Sequence, residues 1–129
     1  MELVSGLDLV EIKRIAELKP AIKERFIRRI LTAKEQEISI LDRSVAGVFA
    51  AKEAAAKALG CGIGEISWQD IEIIPDECGA PHINFYGAAR GIAHEKGITI
   101  WNVSITHTDD LAAAQVIGLG PGNEVTDSK

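Results

Sequence analysis

Apolar residues in the first part of the chain form one short run and then take up helical spacing. The run Leu3–Val10 is mostly apolar and predicts a buried strand, in which Gly6 allows another backbone to approach closely. Helical spacing begins at Ile12, and Pro20 then interrupts it, as expected for the first turn of a second helix. The chain is therefore predicted to begin with a strand followed by two helices.

Two further helices are predicted before the middle of the chain. Thr32 and Glu35 have the spacing of a capping box, so a helix is expected directly after Thr32. The polar residues 42–44 interrupt the pattern. Val45–Leu59 is the strongest helical segment, because it consists largely of alanine with leucine, lysine and glutamate. Gly60 is expected to end this helix in a left-handed conformation.

The second half of the chain has the two-residue alternation of strands. The predicted strands are Ile71–Ile74, His82–Tyr86, Ile98–Thr106 and Leu111–Ile117, with one helix at Gly87–Lys96. Helices followed by antiparallel strands predict the α+β class. We expect one domain over residues 1–117 and a flexible, glycine-rich tail over residues 118–129.

Composition adds an expectation about packing. The chain has 129 residues, the usual size of one domain, and 47% of them are apolar. Much of that fraction is alanine and only 5% of the residues are aromatic, so the core should pack tightly with few large side chains. A small domain of this kind is a candidate for stabilisation by oligomerisation.

The sequence also bears on location. Cys61 and Cys78 lack CxxC spacing and are interpreted as free thiols of a reducing cytosol, with one disulfide as the alternative. The N-terminal segment lacks the basic region of a signal peptide, and no apolar run approaches the ~20 residues that cross a membrane. A cytoplasmic protein without a membrane segment is expected.

A basic segment lies within an acidic chain. The net charge is −5, yet residues 13–34 carry eight basic and two acidic side chains, a local charge of +6. The basic residues are Lys13, Arg14, Lys19, Lys23, Arg25, Arg28, Arg29 and Lys34. Such a patch favours an anionic partner, whereas the overall acidity argues against general nucleic-acid binding.

Asp8 is the first candidate for chemistry. It lies between Leu7 and Leu9 in the apolar first strand, where an unpaired buried carboxylate would cost several kcal/mol. Asp8 is therefore paired with a cation, a ligand of a hard metal ion, or exposed at the end of the strand. Its position alone leaves these three interpretations open.

Glu53 and Lys57 are four residues apart on the alanine-rich helix, so their side chains are neighbours on one face. They are either an ordinary surface ion pair, worth ~0.3–0.5 kcal/mol, or part of a site. His107 follows an alternating strand and can act as a general base, hold a substrate hydroxyl, or belong to a surface turn. The loop Gly60–Gly64 could admit a phosphate group, although a lone glycine-rich loop is weak evidence.

Three segments, occurring in this order, together resemble the signature of the holo-acyl-carrier-protein synthases of the 4′-phosphopantetheinyl transferase family. They are GLDLVEIKRI at Gly6–Ile15, FAAKEAAAKALGCGIG at Phe49–Gly64 and VSITHT at Val103–Thr108. The segment Trp68–Ile83, with its D-x-x-G-x-P turn, is similar to the same family. The resemblance implies an antiparallel sheet packed against a long helix, and homotrimers with each active site at a subunit interface.

The resemblance also implies a reaction. The family transfers the 4′-phosphopantetheine group of coenzyme A to a serine of apo acyl carrier protein and releases 3′,5′-ADP, with Mg²⁺, in fatty acid biosynthesis. Asp8 and Glu53 would be the metal ligands, and Lys57 would stabilise or protonate the departing phosphate. The implied catalytic residues are Lys57, His107 and Glu53, and the implied coenzyme-binding residues are Lys57, Gly60, Gly62, Gly64, Ser104 and His107.

Acyl carrier proteins are strongly acidic, so the resemblance gives the basic segment a partner. Arg14, Lys23, Arg25 and Arg28 are the residues expected to contact it. Val48 departs from the family, in which this position is commonly basic, and one expected phosphate or partner contact is therefore lost. Two other functions remain open: a Mg²⁺-dependent transferase or hydrolase of another pyrophosphate, and a non-catalytic relative that binds carrier protein.

Overall fold

A computed structural model describes residues 1–123, which contain five α-helices and five strands. In chain order they are β1 (Glu2–Glu11), α1 (Lys13–Ala16), α2 (Pro20–Ile30), α3 (Ala33–Ile38), α4 (Asp42–Leu59), β2 (Ile71–Pro75), β3 (Pro81–Phe85), α5 (Gly87–Glu95), β4 (Ile100–His107) and β5 (Leu111–Gly120). A single 3₁₀ turn, Trp68–Asp70, precedes β2. The expected α+β class is confirmed.

An antiparallel sheet in the order β1-β5-β4 packs one face against α4. Side chains alternate between the two faces of a strand. On β1, Gly6, Asp8 and Val10 lie on the face toward α4, and Leu7 and Leu9 lie on the outer face. The predicted packing of a sheet against the long helix is confirmed.

Gly6 is where β1 and α4 approach most closely. A Cβ atom built on Gly6 would lie 1.9 Å from the carbonyl oxygen of Ala54 and 2.9 Å from the amide nitrogen of Ala58. Ala54 is fully buried and Ala58 nearly so, and small side chains permit this contact between the two backbones. The close approach predicted for Gly6 is therefore confirmed.

The remaining elements cover the other sides of α4. The hairpin β2-β3 and the helices α1 and α5 all contact it, so that most of α4 is buried. Phe49 of α4 packs against Phe26 and Trp68, with ring centroids 5.3 and 5.2 Å apart. The expected core of many alanines and few aromatic rings is present.

Helix α4 begins at Asp42, three residues before the start that the pattern predicts. Residues 42–44 form its first turn, and the N–H groups of Ser44 and Val45 both donate to the carbonyl oxygen of Leu41. The expectation that these polar residues interrupt the helix is wrong. An acidic residue in the first turn is favoured by the helix dipole, so a polar stretch here does not indicate a loop.

Strand β5 continues to Gly120, beyond the expected end of the domain. A Cβ atom on Gly118 would lie 2.6 Å from the ring of Trp101, and one on Gly120 would lie 2.0 Å from the carbonyl oxygen of Gly97. These glycines pack closely because they lack side chains, so the expectation of a flexible tail from residue 118 is wrong for 118–120. The last residues of that tail, 124–129, lie outside the described residues.

The structure also reports on the thiols and on membrane insertion. Cys61, half-buried, and Cys78, exposed, are both free, as predicted. Within residues 1–123, no helix has the length and apolar character needed to cross a membrane.

Candidate active site

The first strand and the long helix bring three charged side chains together. Lys57 donates from Nζ to Asp8 Oδ1 at 3.1 Å and to the carbonyl oxygen of Leu7 at 2.9 Å. Glu53 lies one turn before Lys57 on the same side of α4. We call Asp8, Glu53 and Lys57 the acidic cluster; the structure brings them together as expected, and their roles stay predictions.

The two carboxylates of the acidic cluster carry like charge and affect each other. Partial burial raises the pKa of Glu53, and the negative charge of Asp8 raises it further. The cations of Lys57 and Arg14 lower the pKa of Glu53 and so oppose these two effects. Asp8 and Glu53 are therefore close enough to repel each other, and a divalent cation between them would relieve that repulsion.

The donor set of the acidic cluster suits a hard divalent cation. Mg²⁺ prefers oxygen ligands and binds through one or two carboxylates, with water and phosphate in its other positions. Asp8 and Glu53 are both partly exposed, which leaves room for such ligands. Residues 1–123 contain no group of three or more His, Cys, Asp or Glu side chains that could hold a metal. The two carboxylates therefore fit Mg²⁺ that shares its coordination with a phosphate-bearing substrate.

His107 lies beside the N-terminal half of α4, at the exposed end of β4. It lines a cavity of about 250 Å³ between α4 and the β2-β3 hairpin, together with Arg43, Ser44 and Val48. We call this the histidine cavity. Val48 stands where the resemblance implies a basic residue, so Arg43 is the Arg or Lys side chain that lines this cavity within the part of the chain that the structure describes.

Within one chain, the structure does not bring His107 to the two carboxylates. His107 pairs with Ala112, which pairs in turn with Val10, two residues beyond Asp8 on β1. Two strand spacings and two residues along the strand place the Cα atoms of His107 and Asp8 roughly 12 Å apart. The site residues implied by the resemblance therefore fall into separate groups within one chain.

Ser104 belongs to neither group. It pairs with Gln115, which lies opposite Leu7, and the three residues line a shallow hollow on the outer face of the sheet. Large apolar side chains on this face are 61–68% exposed: Leu3, Leu7, Leu9 and Ile100. Ser104 therefore lies on the opposite face from Asp8, next to an exposed apolar surface.

The glycine-rich loop after α4 is shaped by local hydrogen bonds. Gly60 ends the helix with a positive φ of 76°, as predicted. The N–H of Gly62 donates to Glu65 Oε1 at 3.2 Å, and that of Gly64 donates to the carbonyl oxygen of Ile66. A Cβ atom on Gly62 or Gly64 would meet no atom within 4 Å, so the loop borders open space. Coenzyme binding by these glycines stays a prediction.

Two of the predicted partner-binding residues are exposed cations. Arg14 lies on α1, close enough to the acidic cluster for its charge to lower the pKa of Glu53. Arg25 is exposed on α2. Arg14 therefore places positive charge next to the acidic cluster, and Arg25 places it on the surface of α2.

The other two predicted partner-binding residues are paired within the chain. Lys23 is bound to Asp42 at 2.5 Å, which ties α2 to the first turn of α4. Arg28 is paired with Glu24 at 3.1 Å on the exposed side of α2. Arg28 can exchange this surface partner, whereas Lys23 is half-buried and supports the packing of two helices.

Sequence reasoning did not single out Lys52 or Arg43. Lys52 is fully buried and forms an ion pair with Glu35 at 2.6 Å. Its position among the alanines of a largely buried helix was a signal that could have identified it. Arg43 was overlooked because residues 42–44 were expected to interrupt the helical pattern. In the structure these residues form the first turn of α4, and Arg43 lines the histidine cavity.

Comparison with known proteins identifies the family. A family model for the 4′-phosphopantetheinyl transferase superfamily matches residues 5–116, which is most of the chain. The chain belongs to this superfamily. The match covers every element of the transferase except the first residues of β1 and the end of β5.

Relatives of the transferase match it over almost its whole length. A holo-[acyl-carrier-protein] synthase of Caldanaerobacter subterraneus subsp. tengcongensis is 42% identical over 127 residues, 95% of this chain and 99% of the relative. The crystal structure of the Helicobacter pylori synthase with coenzyme A has a TM-score of 0.81 at 33% identity. The match covers 89% of this chain and 99% of the H. pylori chain. A Bacillus anthracis synthase with CoA (3′,5′-ADP) has a TM-score of 0.72 at 35% identity. The match covers 89% of this chain and 94% of the B. anthracis chain. The predicted transferase fold is confirmed.

Proposed function

We propose that the chain transfers the 4′-phosphopantetheine group of coenzyme A to a serine of apo acyl carrier protein and releases 3′,5′-ADP. The observation that carries this proposal is the convergence of Asp8, Glu53 and Lys57 at the contact between β1 and α4. The relatives described above are named for this activity, and two were solved with coenzyme A or its nucleotide. The product would serve fatty acid biosynthesis in the cytoplasm.

The acidic cluster has the charges that this reaction needs. The serine oxygen attacks the phosphorus nearest the pantetheine group, the bond from that phosphorus to the bridging oxygen breaks, and the serine proton passes to a base. Mg²⁺ held by Asp8 and Glu53 would neutralise the pyrophosphate. Lys57 can donate to the departing phosphate, where negative charge develops. Its ammonium group is already positioned by Asp8 and by the carbonyl oxygen of Leu7.

The basic surface suits an acidic carrier protein. Arg14 lies on α1, near enough to the acidic cluster for its charge to lower the pKa of Glu53, so a partner bound over α1 and α2 would extend its serine toward Asp8 and Glu53. Charge complementarity of this kind raises the rate of association and orients the partner. Arg14 and Arg25 are the strongest candidates for this contact because both are exposed, whereas Arg28 is paired with Glu24 and Lys23 with Asp42.

We further propose that the chain acts as a homotrimer in which one coenzyme A molecule contacts two chains. The outer sheet face exposes four large apolar side chains, and such a surface is suited to burial against further copies. The acidic cluster and the histidine cavity are separated within one chain, so a site between two chains can use both. The acidic cluster of one chain would then act with the histidine cavity of the next.

Mixing two inactive variants tests this arrangement. Glu53→Gln damages only the acidic cluster, and His107→Ala damages only the histidine cavity. In mixed trimers, about one interface in four joins an intact acidic cluster to an intact histidine cavity. We therefore expect co-refolded chains to recover about a quarter of the wild-type transfer rate, although each variant alone is inactive.

The control for the mixing experiment is each variant co-refolded with itself, which should recover nothing. Sedimentation velocity should report three chains for wild type and for both variants. Recovery no greater than the sum of the two separate variants, or a monomeric wild type, would contradict the site between chains.

The proposed function is tested by incubating the chain with apo acyl carrier protein, coenzyme A and Mg²⁺, and weighing the carrier by mass spectrometry. We expect the carrier to gain one phosphopantetheine group, and we expect EDTA to stop the gain. Cleavage of coenzyme A without modification of the carrier would favour a hydrolase. Carrier binding without either reaction would favour a non-catalytic relative.

A further inference from the structure

Lys52 is a buried ammonium group with every donor used. Its side chain is fully buried, and Nζ lies 2.6 Å from Glu35 Oε1. The same Nζ donates to the carbonyl oxygens of Ile30 at 2.6 Å and Trp68 at 3.1 Å. A lysine ammonium has three donors, and all three have partners here. Burial lowers the pKa of Lys52, and the charge of Glu35 opposes that effect.

The carboxylate of Glu35 also accepts two hydrogen bonds from backbone N–H groups. Glu35 Oε1 accepts from the N–H of Thr32 at 2.8 Å, and Oε2 accepts from the N–H of Ile73 at 2.6 Å. Thr32 Oγ1 in turn donates to Glu72 Oε2 at 2.7 Å. The buried pair is thus the centre of a network that joins α4, α3 and β2.

The network also binds the C-terminal end of α2, the helix that is proposed to contact the carrier. Ile30 is the last residue of α2, so the Lys52 ammonium binds a C-terminal carbonyl oxygen, where a cation is favoured by the helix dipole. Gln69 binds the same end from the surface, because Nε2 donates to the carbonyl oxygens of Arg28 at 2.8 Å and Leu31 at 3.0 Å. Lys52 and Gln69 together fix the C-terminal end of α2.

Lys52 is adjacent in sequence to Glu53 of the acidic cluster. The two side chains leave α4 in different directions: Lys52 into the core toward α2, and Glu53 toward Asp8. We propose that Lys52 is a positioning residue, which sets the distance between the carrier-docking surface on α2 and the acidic cluster. This inference rests on the proposed function and adds a residue that touches neither coenzyme A nor carrier.

The reaction is sensitive to this distance. A nucleophile reacts well only when it is held ~3–3.5 Å from its target, and an error of ~1 Å can cost about a hundredfold in rate. The serine arrives on a separate protein, so its approach depends on where α2 holds that protein. The residues of the acidic cluster lie on β1 and α4 and not on α2, so we expect α2 to affect the approach of the carrier more than the binding of coenzyme A.

The two classes of substrate should therefore respond differently to loss of the Lys52 contacts. Lys52→Met keeps an unbranched side chain, one atom shorter than lysine, and removes its charge and its three hydrogen bonds. We expect kcat/KM for carrier protein to fall by about tenfold to a hundredfold, and we expect the KM for coenzyme A to stay unchanged. Both constants are measured at a temperature at which circular dichroism shows the variant to be folded.

Gln69→Leu is the second variant, because Gln69 is exposed and its replacement does not leave a buried charge unpaired. We expect the same pattern with a smaller fall in kcat/KM for carrier. Ile98→Ala is the matched control, since it removes buried apolar volume beside β4, away from α2. It should lower the melting temperature without changing either KM.

Three results would overturn the inference. The first is an equal change in the constants for coenzyme A and for carrier in Lys52→Met. The second is wild-type kcat/KM for carrier in both Lys52→Met and Gln69→Leu, and the third is an Ile98→Ala chain that shows the same carrier defect. In each case the wild type still transfers, so the proposed function stands. A wild type that transfers nothing overturns the proposed function, and the positioning role with it.

Discussion

Replacing Glu53 with glutamine is expected to lower the transfer rate by about a thousandfold while the chain stays folded. Glutamine keeps the shape of the side chain but removes the charge that would hold a divalent cation beside Asp8. The pyrophosphate of coenzyme A would then lose the neutralisation of its charge in the transition state. Phosphopantetheinylation of apo acyl carrier protein, followed by mass spectrometry over time, measures the loss.

The same variant should not lose stability. The pKa of Glu53 is raised by partial burial and by the charge of Asp8. A carboxyl group with a raised pKa contributes stability at pH values below its unfolded pKa, and that contribution is lost as the pH rises through its folded pKa. At neutral pH the ionised Glu53 therefore weakens the metal-free fold. We expect the melting temperature of Glu53→Gln to equal or exceed that of wild type.

Magnesium titration separates a metal ligand from a residue that acts in another way. A ligand that binds only the folded state raises the melting temperature. Mg²⁺ should raise the melting temperature of the wild type and of Glu95→Gln, which removes an exposed carboxylate from the end of α5. Mg²⁺ should leave the melting temperature of Glu53→Gln unchanged. Wild-type transfer by Glu53→Gln would show that Glu53 is not needed to hold a metal, and the role proposed for the acidic cluster would lose its basis.

Features that depend on a few neighbouring residues could be predicted from the sequence. Both hydrogen bonds of the capping box are present. The N–H of Glu35 donates to the side chain of Thr32, and the N–H of Thr32 donates to the side chain of Glu35. Gly60 has the expected left-handed conformation, and Pro20 begins α2. Each signal lies within one turn of helix, so tertiary packing did not override it.

Features that join distant segments could not be predicted in the same way. The position of Asp8 in the sequence left three interpretations open, because its partner Lys57 is near only after β1 has paired with β5 and packed on α4. The end of β5 was taken for a tail, since Gly118, which packs against Trp101, and Gly120, which packs against Gly97, give this segment the composition of a flexible one. Lys52 was overlooked because a lysine on an alanine-rich helix usually faces solvent.

Replacing Gly6 with alanine is expected to lower the free energy of unfolding by about 3 kcal/mol. The added methyl carbon would lie 1.9 Å from the carbonyl oxygen of Ala54, which belongs to the backbone of α4 and cannot rotate away. The overlap is relieved only if β1 and α4 move apart. Since small domains are stable by ~5–15 kcal/mol, the loss is large. Urea denaturation followed by circular dichroism measures it.

Moving β1 away from α4 should also damage the acidic cluster. Asp8 is two residues beyond Gly6, and its 3.1 Å contact with Lys57 crosses the same junction between strand and helix. The transfer rate of Gly6→Ala should therefore fall even at temperatures at which the chain is folded. Stability and activity are coupled at this position because one backbone contact supports both.

Gly91→Ala is the control for this coupling. Gly91 lies inside α5, and a Cβ atom there would meet nothing within 4 Å. Alanine at such a position should stabilise the chain by about 0.5–1 kcal/mol and leave transfer unchanged. A Gly6→Ala chain as stable as wild type would mean that β1 does not touch α4 at Gly6. The acidic cluster would then need another explanation, because that contact is what brings Asp8 to Glu53 and Lys57.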